Sequence, residues 1–311
     1  MAAAVRVNLL SASFSEAAIS CPDTMAEYYA LQAAFCFSVA HIFVRRGLVY
    51  SNALTGSLIS LGTSATGFWI LAVLLAPLGL LKNSATGYFA AAGLFAPAIG
   101  QTLGYIGMER IGVARASAIV NTSPIFSSMF AVLLLGELWL AQNILGTCLV
   151  IAGIAVLSSA RGSVATDWRR KDIVFPLLGA VAFGISTLLR KRGLVEVPDP
   201  LLAAAVTVGS AFFFFLLIVG FRTGQNALKF ERRGTVWLFA AALVNMGAIL
   251  SFFSALNLGK VVRVEPLVAC NPVLTILWSA LFFRGLEQLT PRDIFGAVII
   301  ITGTVLVVTA K

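Results

Sequence analysis

The chain has 311 residues, 59% of them hydrophobic and 11% charged, with a formal net charge of +9. A soluble domain carries about 25% charged residues and has no means of hiding this much apolar surface. The excess faces lipid, and the basic residues, which sit in short clusters between apolar runs, exclude a nucleic-acid partner.

Residues 1–26 are read as an N-terminal tail. MAAAVRVNLLSASFSEAAISCPDT is too polar for a signal sequence, and Glu16 interrupts it. Met25, just before the first apolar run, is an alternative start of translation. Charge-free runs follow at 28–44, 47–81, 83–108, 116–136, 138–160, 173–189, 200–221, 234–259, 266–283 and 294–310. A bilayer core of about 30 Å takes roughly 20 helical residues, and flanking Arg and Lys can snorkel. Ten transmembrane helices are therefore expected, here called spans 1 to 10. Continuous apolar runs do not alternate as barrel strands do.

The spans repeat. Arg115 to Gly153 has an echo in Arg263 to Gly303. In both, a Pro follows the Arg by nine residues (Pro124, Pro272), and an apolar run then ends in a Glu (Glu137, Glu287). Gly146 and Gly153 in the first copy match Gly296 and Gly303 in the second, with two extra residues between Pro272 and Glu287. Span 1 ends FVRRGL and span 6 ends LLRKRGL; span 3 ends YIGMERIG and span 8 FFSALNLG. The expected divisions are residues 27–160 for repeat 1, a polar linker at 161–172, and 173–311 for repeat 2. Five helices is an odd number, so the second half enters the membrane from the other side. The fold class is two inverted five-helix repeats, an architecture that places a solute site near the midplane between the halves.

With these residues in place, the chain resembles the EamA family of the drug/metabolite transporter superfamily. Pro124 with Leu135-Gly136-Glu137, Pro272 with Glu287, and the paired glycines carry the likeness over about residues 27–310. The resemblance implies export or exchange of a small organic metabolite or amino acid. It also implies cytoplasmic termini, which would put eight basic residues inside and fourteen outside, against the positive-inside rule. Repeat 2 departs from the pattern at Phe283-Arg284-Gly285-Leu286 and at Glu265.

Polar residues inside spans are the candidate cavity lining: His41, Gln101, Asn121, Asn245, Asn271 and Thr275, with Tyr105 as an aromatic wall and Trp278 beside it. Interhelical hydrogen bonding is the plainer role for such groups, and for His41 a satisfied buried ring. Pro124 and Pro272 are expected to kink spans 4 and 9 from within, each freeing a carbonyl. Glu137 and Glu287 are expected to bind backbone N–H groups at the start of spans 5 and 10. Glu265 is the coupling candidate, because an ionisable group in a span points to function; capping span 9 and pairing with Lys260 or Arg263 is its structural alternative. Arg115 and Arg263 are gating candidates at opposite faces. The glycines of spans 3, 5 and 10 predict close helix packing. Cys21, Cys36, Cys148 and Cys270 form no CxxC pair.

No Ser/His/Asp set, Gly-rich phosphate loop or ATP-binding domain is present, and the single His leaves no expected cofactor or metal. The expected partners are a small-molecule substrate and the lipid bilayer of the cell inner membrane, with a homodimer as the assembly to test. A flippase for a lipid-linked intermediate and a membrane-embedded lipid-modifying enzyme are the alternatives.

Overall fold

The computed structural model describes residues 22–111, 113–159, 170–222, 228–282 and 291–310. Regular structure among them is helical throughout. The elements are α1 (Pro22–Leu48), α2 (Ala53–Leu75), α3 (Ala85–Gly93), α4 (Gly100–Ile111), α5 (Val113–Val120), α6 (Ser123–Leu135) and α7 (Ala141–Ser159) in the first half. The second half holds α8 (Val174–Glu196), α9 (Pro200–Arg222), α10 (Arg232–Leu258), α11 (Val261–Val268), α12 (Asn271–Phe282) and α13 (Pro291–Thr309). Span 3 is α3 plus α4, span 4 is α5 plus α6, and span 9 is α11 plus α12; every other span is one helix.

Local sequence sets the helix ends. Asn52 caps α2, its side chain accepting from Thr55 N at 2.9 Å. Asp199 accepts from Leu202 N at 2.9 Å and precedes Pro200, the favoured residue for a first helical turn. Gly136 ends α6 with φ of 69°, a left-handed turn that a side chain would strain. The first helix starts at Pro22, inside the stretch expected to be tail.

The halves interlock as an inverted pair. Span 1 packs on span 8, and its copy, span 6, packs on span 3. Span 2 packs on its own copy, span 7, and span 5 on its own copy, span 10. The paired glycines explain the last contact. A Cβ at Gly303 would stand 2.6 Å from the Gly146 carbonyl oxygen, and one at Gly153 would stand 2.7 Å from that of Gly296. The glycines of one repeat meet those of the other, so the backbones touch. Gly100 likewise packs on Phe183, and Gly107 on Pro176.

Ala30, Ala33, Ala203, Ala204 and Ala255 are fully buried, and so are large side chains such as Phe68, Phe89, Leu238 and Leu256. Leu133, Leu145, Phe213, Val298 and Ile301 point outward. The large apolar side chains on the outer surface suit lipid. Five segments (Leu54–Leu75, Ala118–Leu135, Arg170–Glu196, Pro200–Leu217 and Arg232–Leu258) are long and apolar enough to cross a membrane unaided. Ala141–Leu157 and Ile294–Thr309 are shorter apolar helices.

Loop contacts separate the two faces. On the face where α1 begins, here the terminal face, Ser84 Oγ donates to Glu196 Oε2 at 2.6 Å and Arg263 donates to the Ala310 carbonyl at 2.7 Å. On the opposite face, Ser51 Oγ donates to the Lys229 carbonyl at 2.7 Å, and Arg110 pairs with Asp172 at 2.9 Å. The Ser84–Glu196 and Ser51–Lys229 contacts join one half to the other.

Three spans are broken. Chain turns at Asn121–Thr122 and Ala269–Cys270 separate α5 from α6 and α11 from α12. Pro124 and Pro272, expected to kink spans 4 and 9 from within, instead follow these turns. They occupy the first turn of α6 and α12, where a missing N–H costs nothing. The third break, Leu94–Ile99 in span 3, was not expected. Ala96 is non-helical there (φ −127°, ψ 114°) and the Ala96–Pro97 bond is cis. Carbonyls just before the break find partners on repeat 2: Ser186 Oγ donates to Ala92 O at 2.8 Å and Ser210 Oγ to Ala90 O at 3.1 Å. Span 8 is unbroken, with Val244 opposite Pro97 in the repeat alignment.

Candidate functional site

A cavity of about 460 Å³ lies between the halves, lined from spans 1, 2, 3, 6, 7 and 8. Its lining includes Leu48 and Gly56, where α1 ends and α2 begins on the opposite face. It reaches inward past His41, Ser57, Ser60, Pro97 and Gln101 to Arg190, Phe252 and Phe253. The break in span 3 positions this lining, bringing Ala96, Pro97 and Gln101 to the cavity wall.

Three of the sequence-predicted polar residues meet here: His41, Gln101 and Asn245. His41, expected as a satisfied buried ring, is exposed and lines the cavity. Asn121, Asn271 and Thr275 are not among the lining residues. Asn271 Nδ2 donates to the Val268 carbonyl at 3.2 Å, and Thr275 Oγ1 to the Asn271 carbonyl at 3.0 Å. Asn271 thus serves the backbone at the α11–α12 break, and Thr275 the first turn of α12. Tyr105 lies in α4, its side chain outside the described residues. Trp278 lines a separate groove of about 460 Å³ with Phe35, Val39, Ile42, Phe43, Arg46 and Trp237, on the other side of α1.

The floor of the cavity is electrostatic. Arg190 lies over the Phe252 and Phe253 rings at 5.8 and 5.4 Å. Its Nε is buried and makes no hydrogen bond. Beyond it stands the Glu265 carboxylate, within electrostatic reach of Arg190. Thr187 Oγ1 donates to Glu265 Oε1 at 2.5 Å, and the Ser127 hydroxyl stands beside the same carboxylate. Spans 4, 6 and 9 thus converge on one acid. Glu265 is not the cap of span 9, nor the partner of Lys260 or Arg263: the helix begins with Lys260 as its flanking residue, and a carboxylate nearly a turn and a half further on faces the protein interior.

The cap of span 9 is Glu137. Its two carboxylate oxygens accept from Val261 N and Val262 N at 3.0 and 3.1 Å. Glu137 was expected to bind the start of span 5. The left-handed turn at Gly136 and the extended chain to Leu140 carry it instead to the other repeat, since inversion puts the 4–5 and 8–9 loops on one face. Lys191 completes the clamp, donating to the Leu256 and Gly259 carbonyls at 2.7 and 2.8 Å. A carboxylate thus holds the amino end of α11, and an ammonium holds the carboxyl end of α10, each matching the helix dipole. Glu287 and the lengthened Phe283–Leu286 turn lie outside the described residues.

Arg263 sits on the terminal face, bound to Ala310 O and 3.9 Å from the Glu27 carboxylate. Arg115 lies in α5, which starts at the opposite face; its side chain is outside the described residues. Cys36 is half-buried, Cys148 exposed and Cys270 buried, all unpaired. Among the described residues no cluster of His, Cys, Asp or Glu has the makings of a metal site.

An inverted-repeat helical bundle with broken spans and a cavity between its halves that carries a few polar side chains defines a polytopic membrane protein of the transporter type. The chain belongs to the EamA-like transporter family, whose profile matches residues 24–159 and again 170–309. It is similar to the uncharacterized transporter YvbV of Bacillus subtilis (strain 168), with 29% identity over 207 residues. That match spans 65% of this chain and 65% of the relative's length. A protein of known crystal structure has the same fold, with a TM-score of 0.73 at 15% identity, over 91% of this chain and 96% of that one.

Proposed function

We propose that this protein is a secondary transporter of a small organic metabolite or amino acid, an exporter or exchanger in the cell inner membrane. The observation that carries this reading is the cavity between the repeats, which extends to the opposite face and is floored by Arg190, Phe252 and Phe253. A site at the repeat interface beside discontinuous helices is what alternating access needs. The broken spans 3, 4 and 9 supply joints for rocking one half against the other. Glu265 is the proposed coupling residue, since it joins spans 4, 6 and 9 beneath the cavity floor.

The apolar groove at Trp237 and Trp278 bears on the flippase alternative. It runs on the far side of α1 from the cavity, so a lipid lying in it has no path to the polar residues. That favours a water-soluble solute.

The test is counterflow of labelled metabolites and amino acids into proteoliposomes holding the purified protein, with and without an imposed pH gradient. Protein-dependent uptake of at least one solute is expected, and Glu265→Gln should lose the response to the pH gradient while keeping exchange. Uptake no faster than into protein-free vesicles across the panel would sink the transporter reading. A gradient response that survives Glu265→Gln would remove Glu265 from coupling.

A further inference from the structure

We infer that Arg190 makes the cavity a carboxylate site, so that the solute is a small organic acid or an amino acid held by its carboxylate. This rests on the transporter reading and adds a substrate chemistry to it. Among the described lining residues Arg190 carries the only permanent charge. A cation at this depth is costly unless something repays it. Part of the repayment is visible. The Phe252 and Phe253 rings lie against the guanidinium, and Glu265 offsets its charge from behind. Both leave the planar donor edge unspent. Ring faces take no N–H hydrogen bond from the edge of the fork, and Arg190 Nε is buried without a hydrogen-bond partner.

An arginine with a donor unspent at the inner end of a mainly apolar cavity matches a carboxylate, which accepts two parallel N–H bonds from the fork. The site is directional. Val44 occupies the place of Arg190 in the repeat alignment and lines the same cavity, so the charge is at one end only. The walls between the ends fit the rest of such a molecule. Phe37, Phe183 and Ile249 offer an apolar surface, while His41, Gln101 and Asn245 offer hydrogen bonds farther from the floor. The structural alternative makes Arg190 nothing more than the counter-ion of Glu265. It predicts no discrimination between an acid and its neutral isostere.

The experiment measures binding to the full-length protein purified in detergent, by isothermal titration, with two matched pairs as probes. These are hexanoate against hexanamide, and L-leucine against L-leucinol, which differ only at the carboxylate. The acid of at least one pair should bind about ten- to a hundredfold more tightly than its partner, the worth of hydrogen bonds to a charged group. Arg190→Gln should erase that preference and Arg190→Lys should keep part of it, as a point charge without the fork. Equal affinity within both pairs, a preference that survives Arg190→Gln, or no binding of either acid overturns the inference. Should Arg190→Gln fail to fold, the wild-type pairs and Arg190→Lys decide. Counterflow of whichever acid binds, at pH 8, separates the two levels. Binding without flux leaves the carboxylate site standing and removes the transporter reading. Flux of acid and neutral partner alike does the reverse.

Discussion

Arg190, Lys191 and Arg192 show how much one short stretch decides. As letters they are a basic cluster at a span end, and snorkelling is the reading that such a cluster invites. Successive residues on a helix point about 100° apart, so three in a row have no way to share one face. Arg190 turns into the cavity, Lys191 reaches the end of α10, and Arg192 is exposed. That geometric signal was present in the sequence, and it identifies at least one buried cation without naming which. Glu137 is the converse: its role as a helix cap was legible, but its partner was not, because the partner is set by the inverted packing of the two halves. Glu137→Ala removes both acceptors from Val261 N and Val262 N. The expected cost is about 1–2 kcal/mol, seen as a lower thermal midpoint of the purified protein, with Glu137→Gln falling between the two. An unchanged midpoint for the alanine variant would mean that water replaces the cap without loss.

At the scale of elements, the sequence located the prolines but misjudged what they do. A Pro inside an apolar run reads as a kink, since neither the run nor the charges on its flanks mark where a helix stops. The turns at Asn121–Thr122 and Ala269–Cys270 end one helix just before each Pro, leaving Pro124 and Pro272 in first turns where their fixed φ helps. Span 3 was harder. Pro97 has no counterpart in span 8, so the repeat that exposed every other feature was silent there. The two accounts of Pro124 predict opposite results. In a first turn, Pro124→Ala changes stability by less than about 1 kcal/mol. Inside a continuous helix, the same change would restore a lost hydrogen bond and stabilise by about 3 kcal/mol. The thermal midpoint of Pro124→Ala, measured beside Pro272→Ala, distinguishes them; a large upward shift in either would sink the first-turn placement.

For the whole molecule, duplication made the architecture legible, while orientation stays in tension with charge. The structure sharpens that tension. On the terminal face, Arg190 is spent on the cavity, Lys191 on α10 and Arg263 on Ala310, which leaves Lys82, Arg192 and Lys260 exposed. On the opposite face, Arg45, Arg46, Arg110, Arg170, Lys171, Arg232 and Arg233 are all exposed. A cytoplasmic terminal face, as in the family resemblance, places this basic rim outside and the mouth of the cavity with it. A cysteine scan reads both at once. In a background lacking all four native cysteines, Ser57→Cys samples the cavity near the opposite face and Phe253→Cys samples its floor. A membrane-impermeant maleimide applied to intact cells is expected to label Ser57→Cys. Phe253, 1% exposed, should be spared. Labelling of Ser57→Cys only in inverted vesicles would hand the orientation to the positive-inside rule. Equal labelling of both positions from the outer side would show that Arg190 and the two phenylalanines do not close the cavity, and the rocking joints at the broken spans would then need a different gate.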